Sequence, residues 1–380
     1  MLDGPAVGEQ FSSDKAVLVA LDFGEPDFEE SLEELRRLTE SAGVTVQAVV
    51  KGKRARPDAA LFAGSGKADE VGLTLRETES GVAIFNHDLS PAQQRNLEQR
   101  LQSRVVDRTS LILDIFAQRA QSHEGKVQVE LAQLERLSTR LVRGWTHLER
   151  QKGGVGLRGP GETQLETDRR LIGKRVKSLK EKLIKLSKQR NTQRRARTKN
   201  AVFSVSLVGY TNAGKSTLFN RLTHAGAYVA DQLFATLDTT SRKVFLPEVG
   251  QLVLSDTVGF IKQLPHGLVV SFRATLEEAV QSDLLLHVVD GSSAARDSQI
   301  EHVNKVLAEI GAAHLPQILV MNKIDAVGLT PRVDRDEYGK ISRVWISAVN
   351  GDGMDFVRQA LVAAVNDTLD QPSQPEVLTA

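Results

Sequence analysis

The sequence predicts an α/β protein built from a small parallel α/β layer, a long antiparallel helical hairpin and a second, larger α/β domain. Three observations predict this fold class. Short apolar runs alternate with amphipathic stretches in the first third of the chain, two heptad seams flank a glycine-rich segment, and a phosphate-binding loop motif follows a strand pattern near residue 209. We place the first domain at 1–200, the second at 201–368 and a short disordered tail at 369–380.

The composition limits the classes of function. Of 380 residues, 41% are hydrophobic and 26% are charged, which suits two or three buried cores. The chain contains no cysteine, which excludes disulfides, thiolate-bound zinc, iron–sulfur clusters and thiol catalysis. We see neither a secretory signal nor a membrane-spanning stretch. We therefore expect a cytoplasmic monomer without membrane insertion, and we leave partial association with a membrane open.

The first layer is predicted over about 15–122, from strand and helix patterns that alternate. The strands are predicted at 17–22, 44–50, 82–85 and 104–107, and the helices at 29–41, 67–79, 91–101 and 110–120. The segment Phe62–Glu70 contains GSGK, but it lacks the first glycine of a phosphate loop and has Ala68 where a magnesium-binding hydroxyl belongs. We interpret it as a loop leading into a helix, with a weak ligand or RNA contact as the alternative.

Two heptad seams predict the hairpin over about 123–199. One seam consists of Val127, Leu131, Leu134, Ser138, Leu141, Trp145 and Leu148, and the other of Ile172, Val176, Leu179, Leu183 and Leu186. Between them, the segment 151–163 has five glycines and a proline, so no helix can continue there. Thr163 and Glu166 form a capping-box pattern, which predicts that the second helix begins at Thr163. The glycine-rich segment would then form the tip of an antiparallel hairpin.

The second arm of the hairpin is strongly basic. Between Asp168 and Lys199, fourteen Lys or Arg side chains stand against Asp168 and Glu181, a net charge of +12 that leaves −11 for the rest of the chain. Because a polyanion would relieve the repulsion between these charges and release its counterions, we predict that this arm binds nucleic acid, with a solvated helix face as the alternative. The predicted RNA-binding residues, two of them at the tip, are Lys152, Arg158, Arg169, Arg170, Lys174, Arg175 and Lys177.

A phosphate-binding loop, GYTNAGKS, lies between an apolar strand and an amphipathic helix. Gly209 and Gly214 let the backbone turn its N–H groups toward phosphates, and the following helix presents the positive end of its dipole. Lys215 can reach the β- and γ-phosphates, and the Ser216 hydroxyl can ligate Mg²⁺. The predicted nucleotide-binding residues of this loop are Gly209, Tyr210, Thr211, Asn212, Ala213, Gly214, Lys215 and Ser216.

Three further motifs follow at strand ends. Asp256 can hold Mg²⁺ through water, and the Gly259 N–H can donate a hydrogen bond to the γ-phosphate.

Asp325 can accept hydrogen bonds from N1–H and the 2-amino group of guanine, a donor pair that adenine lacks. Lys323 can lie over the base, and the Ala348 amide can meet guanine O6. The predicted nucleotide-binding residues here are Asp256, Thr257, Val258, Gly259, Asn322, Lys323, Ile324, Asp325, Ser347, Ala348 and Val349. Together these motifs predict a Ras-like P-loop GTPase domain that uses GTP and Mg²⁺.

The segment before Asp256 must supply a second hydroxyl to Mg²⁺. The candidates are Thr223, Thr236, Thr239 and Thr240, and we favour Thr236, partly on the resemblance described next. Ser216 and Thr236 are then the predicted metal ligands, and Lys215, Thr236 and Gly259 the predicted catalytic residues.

Three segments together resemble the HflX family of ribosome-associated GTPases: Gly153–Arg170, Gly209–Asn220 with Leu233–Asp238, and Asp256–Glu278. The resemblance extends from about residue 17 to residue 366. It implies binding to the large ribosomal subunit and its rRNA, and dissociation or rescue of stalled ribosomes. It also adds Phe234, Ala235, Thr236, Leu237 and Asp238 to the nucleotide-binding residues. Members commonly have proline where this chain has Thr239, a difference that removes no ligand.

Residue Phe260 occupies a position where many relatives carry a glutamine that orients the attacking water. A phenylalanine cannot hold a water by hydrogen bonding. Either the domain barely hydrolyses GTP or a partner completes the site, and we favour the second, with slow turnover in isolation. His266 is a weaker candidate to assist hydrolysis.

Two other functions stay open from the sequence. One is a GTP-dependent signalling switch that acts on a protein partner and does not split ribosomes. The other is an RNA-remodelling ATPase, against which Asp325 argues because its carboxylate suits guanine.

Overall fold

The computed structural model describes residues 15–25, 27–144, 160–198, 202–223, 233–234, 236–262 and 278–369. The chain divides into two compact units between Lys188 and Gln189, within a long helix, whereas the sequence analysis placed the domain boundary after residue 200. Over the described ranges, no helix combines the length and the apolar character needed to cross a bilayer.

The first unit contains a four-stranded parallel sheet with the strand order β2-β1-β3-β4. Its strands are β1 (Lys15–Asp22), β2 (Thr45–Lys53), β3 (Val82–Phe85) and β4 (Arg104–Asp107), and its first helices are α1 (Phe28–Ser41), α2 (Ser65–Glu77), α3 (Pro91–Leu101) and α4 (Arg108–Arg119). All three strand pairs are parallel, so the predicted parallel α/β layer is confirmed. β3 is buried at every residue, as expected of a strand covered on both faces.

The GSGK segment leads into α2, as the sequence analysis expected. The helix begins at Ser65, and Lys67 lies on its first turn. Lys67 Nζ is 2.7 Å from Glu70 Oε2, so its charge is paired within the helix.

Two long helices, α5 (His123–Gly144) and α6 (Pro160–Thr198), complete the described part of this region. The apolar cluster between them contains six residues of the two predicted heptad seams: Val127, Leu131, Leu134, Val176, Leu179 and Leu183. The predicted packing of one seam on the other is therefore confirmed over this stretch. The side chains of Leu141, Trp145 and Leu148 and the tip residues Lys152 and Arg158 lie outside what the structure describes.

The start of α6 differs from the prediction. The helix begins at Pro160 and not at Thr163. Proline is well suited to the first turn because its fixed φ is helical and its missing N–H would have no partner there. The capping-box pattern at Thr163 therefore lies inside the helix.

The second unit contains a seven-stranded sheet with the order β10-β11-β9-β8-β5-β7-β6. The strands are β5 (Phe203–Gly209), β6 (Thr240–Leu246), β7 (Gly250–Asp256), β8 (Leu284–Asp290), β9 (Gln317–Asn322), β10 (Arg332–Arg335) and β11 (Ile341–Trp345). The longer described helices are α7 (Lys215–Thr223), α8 (Arg296–Glu309) and α9 (Met354–Leu369), and a 3-10 turn spans Ile324–Val327. β6 and β10 are antiparallel edge strands around five parallel strands. α9 includes Leu369, where the tail was predicted to begin, and residues 370–380 lie outside the described part.

The parallel strands bring their last residues to one edge of this sheet. β5 ends at Gly209, β7 at Asp256, β8 at Asp290 and β9 at Asn322. In open α/β sheets, the loops beyond the carboxyl ends of the strands form the binding crevice. The topology therefore assembles the predicted motifs, which are far apart in sequence, at one edge.

Candidate nucleotide-binding site

Two glycines shape the loop that follows β5. Gly209 has a φ of 147° and Gly214 a φ of 94°. A Cβ at Gly209 would collide with the carbonyl oxygen of Val288, and a Cβ at Gly214 would collide with the side-chain amide of Asn322. Only glycine allows the loop to pass so close to β8 and β9 before α7 begins at Lys215. The loop N–H groups and the positive end of the α7 dipole thus meet at one point.

The Lys215 side chain is buried and folds back onto the loop. Its Nζ donates to the carbonyl oxygens of Gly209 (3.1 Å) and Tyr210 (2.7 Å). Burial lowers the pKa of Lys215 to about 8, and the nearby Asp256 carboxylate offsets this effect only in part. A phosphate oxygen beside Nζ would supply the negative charge that this buried cation lacks.

We expect nucleotide binding to raise the pKa of Lys215, so that the protein takes up protons as GDP binds. At about pH 8.5 most Lys215 is neutral in the free protein, and a phosphate would restore the ammonium form, an uptake of roughly 0.7 proton per GDP. At about pH 7 the uptake should be close to zero, because the amine is already protonated. Titration calorimetry in buffers of different ionisation enthalpy measures this number. Lys215→Arg keeps its charge and should show no pH dependence, and a pH-independent uptake in the unaltered protein would contradict the assignment.

Three oxygen-bearing side chains converge between α7 and β7. Ser216 Oγ lies 2.7 Å from Asp256 Oδ2 and 2.7 Å from Thr236 Oγ1, and Thr236 Oγ1 lies 2.9 Å from Asp256 Oδ2. Thr236, one of the four candidate threonines, therefore lies within hydrogen-bond distance of Ser216. Thr223, by contrast, donates its hydroxyl hydrogen to the Phe219 carbonyl within α7.

The environment of Asp256 fits a divalent cation. Its side chain is buried, and Oδ1 has no hydrogen-bond partner among the residues that the structure describes. Burial raises its pKa, even though Ser216 and Thr236 donate hydrogen bonds that lower it. A buried carboxylate with an unsatisfied oxygen and two neighbouring hydroxyls is an all-oxygen donor set, which is what Mg²⁺ prefers.

Buried apolar residues hold Thr236 in place. Leu233, Phe234 and Leu237 are each buried, whereas Thr236 is half-buried. Phe234 has a φ of 57°, an uncommon value for a residue with a side chain. Ala235 lies outside the described residues. The segment thus anchors its apolar side chains and leaves the threonine hydroxyl directed at Ser216 and Asp256.

The segment after Asp256 runs along the phosphate loop. The Phe260 N–H donates to the Gly209 carbonyl at 3.1 Å, and the Thr211 N–H donates to the Phe260 carbonyl at 2.7 Å. A Cβ on Gly259 would lie 3.0 Å from Lys215 Nζ, so this backbone approaches the lysine closely. The Phe260 side chain is 3% exposed and packs inside the domain. His266 lies outside the described residues.

On the side predicted for the base, Asn322 joins two loops. Its Nδ2 donates to the Ala213 carbonyl at 2.9 Å, and its Oδ1 accepts from the Ala348 N–H at 2.9 Å. The side-chain oxygen of Asn322 is buried and takes this amide as its donor. The contact between the Ala348 N–H and guanine O6 stays a prediction.

Asp325, which the sequence predicts to read the guanine edge, and Lys323 lie just after the end of β9. Asp325 is exposed on the 3-10 turn, and Lys323 has a φ of 65°. Lys323 Nζ donates to Asp290 Oδ2 at 2.8 Å. Although burial raises the pKa of Asp290, hydrogen bonds from Lys323 and Ser292 outweigh it and lower the pKa. Asp290 was not among the predicted site residues, although it is a carboxylate at the end of an apolar strand.

The predicted RNA-binding residues on α6 fall into two groups. Arg169, Arg170, Lys174 and Lys177 are exposed. Arg175, however, makes a bidentate pair with Glu130 of α5, with Nε–Oε1 and Nη2–Oε2 distances of 2.7 and 3.0 Å. Arg175 is therefore paired within the protein. It borders the seam, where long charged side chains bridge packed helices.

Known proteins match this chain along most of its length. Family models described as GTP-binding GTPase N-terminal, GTP-binding GTPase middle region and 50S ribosome-binding GTPase match residues 29–117, 119–197 and 204–323. The GTPase HflX of Escherichia coli strain K12 is 54% identical over 98% of this chain and 86% of its own length. The GTPase HflX of Magnetococcus marinus is 50% identical over 88% of this chain and 77% of its own.

One solved structure shows the same fold. The crystal structure of SsGBP in complex with GDP has a TM-score of 0.53 and 24% sequence identity, and the match covers 93% of this chain and 98% of that one.

Proposed function

The chain belongs to the HflX family of GTPases, and on this basis we propose that it binds the large ribosomal subunit through α6 in a GTP-dependent way and dissociates or rescues stalled ribosomes. The GTPase activity follows from the family and from the P-loop domain. The observation that carries the proposed partner is a stripe of basic side chains on α6, which we call the basic stripe and define as Arg170, Lys174, Lys177 and Lys185.

The basic stripe lies opposite the seam that packs on α5. At 3.6 residues per turn its four members share one face, which extends over about 22 Å of helix. All four are exposed, and within the described ranges none has a carboxylate at salt-bridge distance. Arg175 and Lys180, in contrast, are paired with Glu130 and Glu135 across the seam. These four unpaired cations share their helix face with one carboxylate, Glu181, and their spacing along the helix suits the regularly spaced phosphates of RNA.

The GTPase domain would hold the nucleotide with the groups described above. The loop Gly209–Ser216 presents N–H groups and Lys215 to the phosphates, and Ser216 and Thr236 would ligate Mg²⁺, with Asp256 holding it through water. When bound, Mg²⁺ neutralises charge on the phosphate oxygens. Loss of the γ-phosphate removes an acceptor from the Gly259 N–H, so this segment and the one carrying Thr236 can relax.

Hydrolysis would be slow in the isolated protein because the residue after Gly259 contributes no polar group. The Phe260 ring is buried and cannot orient a water. We propose that the ribosome supplies the missing contact and thereby accelerates turnover.

Neutralising the basic stripe tests the proposed partner. We expect Arg170→Gln, Lys174→Gln and Lys177→Gln together to weaken binding of the full-length, GTP-loaded protein to large subunits about 10- to 100-fold at moderate salt, and to reduce the salt dependence by about 0.7–0.9 per charge removed. The matched control is Arg175→Gln with Lys180→Gln, which alters the same helix at internally paired positions and should weaken binding less. Co-sedimentation over a series of salt concentrations measures both.

Two outcomes would contradict the proposal. Unchanged binding of the stripe variant would favour the signalling switch that acts on a protein. Equal losses per charge in the two sets would show that total charge, and not the stripe, determines binding.

For the dissociation step, sucrose gradients of intact ribosomes should show separated subunits with GTP or a non-hydrolysable analogue and not with GDP.

A further inference from the structure

The segment that follows Gly259 is bound to the phosphate loop by a side chain as well as by backbone groups. The hydroxyl of Tyr210, a residue of that loop, accepts a hydrogen bond from the Lys262 N–H at 2.7 Å. This contact lies beside the short parallel bridge between Tyr210 and Phe260. Tyr210 is 7% exposed, so its hydroxyl meets the segment inside the domain. The loop therefore holds the segment through its backbone at Phe260 and through a side chain at Lys262.

A histidine of α8 holds the same segment from a second element. His302 Nε2 lies 3.0 Å from the carbonyl oxygen of Ile261. Because a carbonyl oxygen can only accept a hydrogen bond, Nε2 carries the hydrogen and donates it. Ile261 is fully buried, so its carbonyl needs a partner inside the protein, and His302 supplies one. The His302 ring also contacts the Tyr210 ring edge to face, with 6.4 Å between the ring centroids.

Both side chains act on a segment that lies close over the phosphate loop. A Cβ on Gly259 would be 2.8 Å from the Thr211 Cα and 3.0 Å from Lys215 Nζ, so this backbone is next to the group that meets the phosphates. The Thr236 hydroxyl is at the same time within 2.7 Å of Ser216 Oγ. The two segments that respond to a γ-phosphate are thus both drawn over the loop, which is the arrangement that a bound triphosphate requires.

We propose that Tyr210 and His302 form a latch, defined by these two side chains, that holds the Gly259 N–H where it can donate to a γ-phosphate. They are positioning residues, because through these contacts they bond the backbone at Ile261 and Lys262 and act on the nucleotide only through that backbone. The inference rests on the proposed contact between the Gly259 N–H and the γ-phosphate. Since GDP lacks that phosphate, the latch should favour the triphosphate over the diphosphate.

Comparing a triphosphate with a diphosphate tests this inference. We expect His302→Ala in the full-length protein to weaken a non-hydrolysable GTP analogue about fivefold, because it removes one hydrogen bond from the segment. The affinity for GDP should change by less than about twofold. Tyr210→Phe removes only the hydroxyl and should produce the same difference between the two nucleotides. Competition against a fluorescent GDP analogue, at saturating Mg²⁺, measures both dissociation constants.

Two further variants serve as controls. His302→Gln keeps a side-chain N–H donor and should recover most of the affinity for the GTP analogue. His314→Ala removes an exposed histidine between α8 and β9 and should leave both affinities unchanged. Thermal melting of each variant shows that the fold is retained.

The outcomes separate the latch from the contact on which it rests. An equal loss for both nucleotides would assign the two side chains a general structural role and overturn the inference, as would no loss for either nucleotide. Gly259→Ala tests the γ-phosphate contact itself, because its Cβ would collide with Thr211 and displace the segment. If that variant kept full affinity for the GTP analogue, the proposed contact would fail, whatever the latch does.

Discussion

Replacing Thr236 by alanine is expected to lower the rate of GTP hydrolysis about 10²- to 10³-fold while changing the affinity for GDP by less than about threefold. The Thr236 hydroxyl lies 2.7 Å from Ser216 Oγ and 2.9 Å from Asp256 Oδ2, where it can act as the second protein ligand of Mg²⁺ in the triphosphate state. GDP lacks the γ-phosphate that draws this segment into the site. Its affinity therefore depends mainly on the phosphate loop and the base-binding groups.

Single-turnover hydrolysis and GDP binding, measured on the same preparation, test this prediction. Thr239→Ala is the matched control, because Thr239 was another candidate ligand in the same segment and should leave the rate nearly unchanged. A full loss of activity in Thr239→Ala with none in Thr236→Ala would reverse the assignment of the metal ligand. Loss of GDP affinity in Thr236→Ala to the same degree as loss of rate would show that Thr236 stabilises the fold of the site and not the triphosphate state.

Replacing Asp325 by asparagine is expected to weaken GTP and GDP about 10³-fold or more and to create affinity for xanthosine nucleotides. An asparagine side chain can accept only one of the two hydrogen bonds that guanine N1–H and its 2-amino group donate, and it brings its own NH₂ toward them. A buried polar edge left unpaired in this way costs several orders of magnitude in discrimination. Xanthine has a carbonyl at this position, which can accept a hydrogen bond from the new amide.

Competition binding with guanosine, xanthosine and adenosine diphosphates measures this change in specificity. Asp325 is exposed on a 3-10 turn, so the substitution should not affect folding. Asp297→Asn, which changes an exposed carboxylate on α8, is the control and should leave the preference for guanine unchanged. An unaltered preference in Asp325→Asn would show that another group reads the guanine edge.

Local patterns were sufficient where neighbouring residues determine the structure. α3 was predicted at its observed bounds, and the structure shows a local cause for them: Ser90 and Gln93 form a capping box, with Pro91 in the first turn. β3 and β4 were predicted at their observed bounds because each is a short apolar run between turn residues. The start of α6 was predicted wrongly, since two helix-start signals, Pro160 and Thr163, compete within four residues.

Contacts between distant residues could not be predicted in this way. Arg175 and Glu130 form an ion pair although they are 45 residues apart in the sequence. Arg221 of α7 donates a hydrogen bond to the carbonyl of Val349, which lies 128 residues further along the chain. Neither arginine belongs to a motif, so only the folded chain shows which carboxylate or carbonyl each one meets.

The sequence by itself determined the order of strands and helices, the heptad seams and the phosphate and guanine motifs, because periodicity and local turn chemistry reside in neighbouring residues. Only the tertiary structure decided that Thr236 meets Ser216 and which basic side chains of α6 stay unpaired. The physical reason is that a buried polar group needs a hydrogen-bond partner, and in the folded chain this partner comes from a distant part of the sequence.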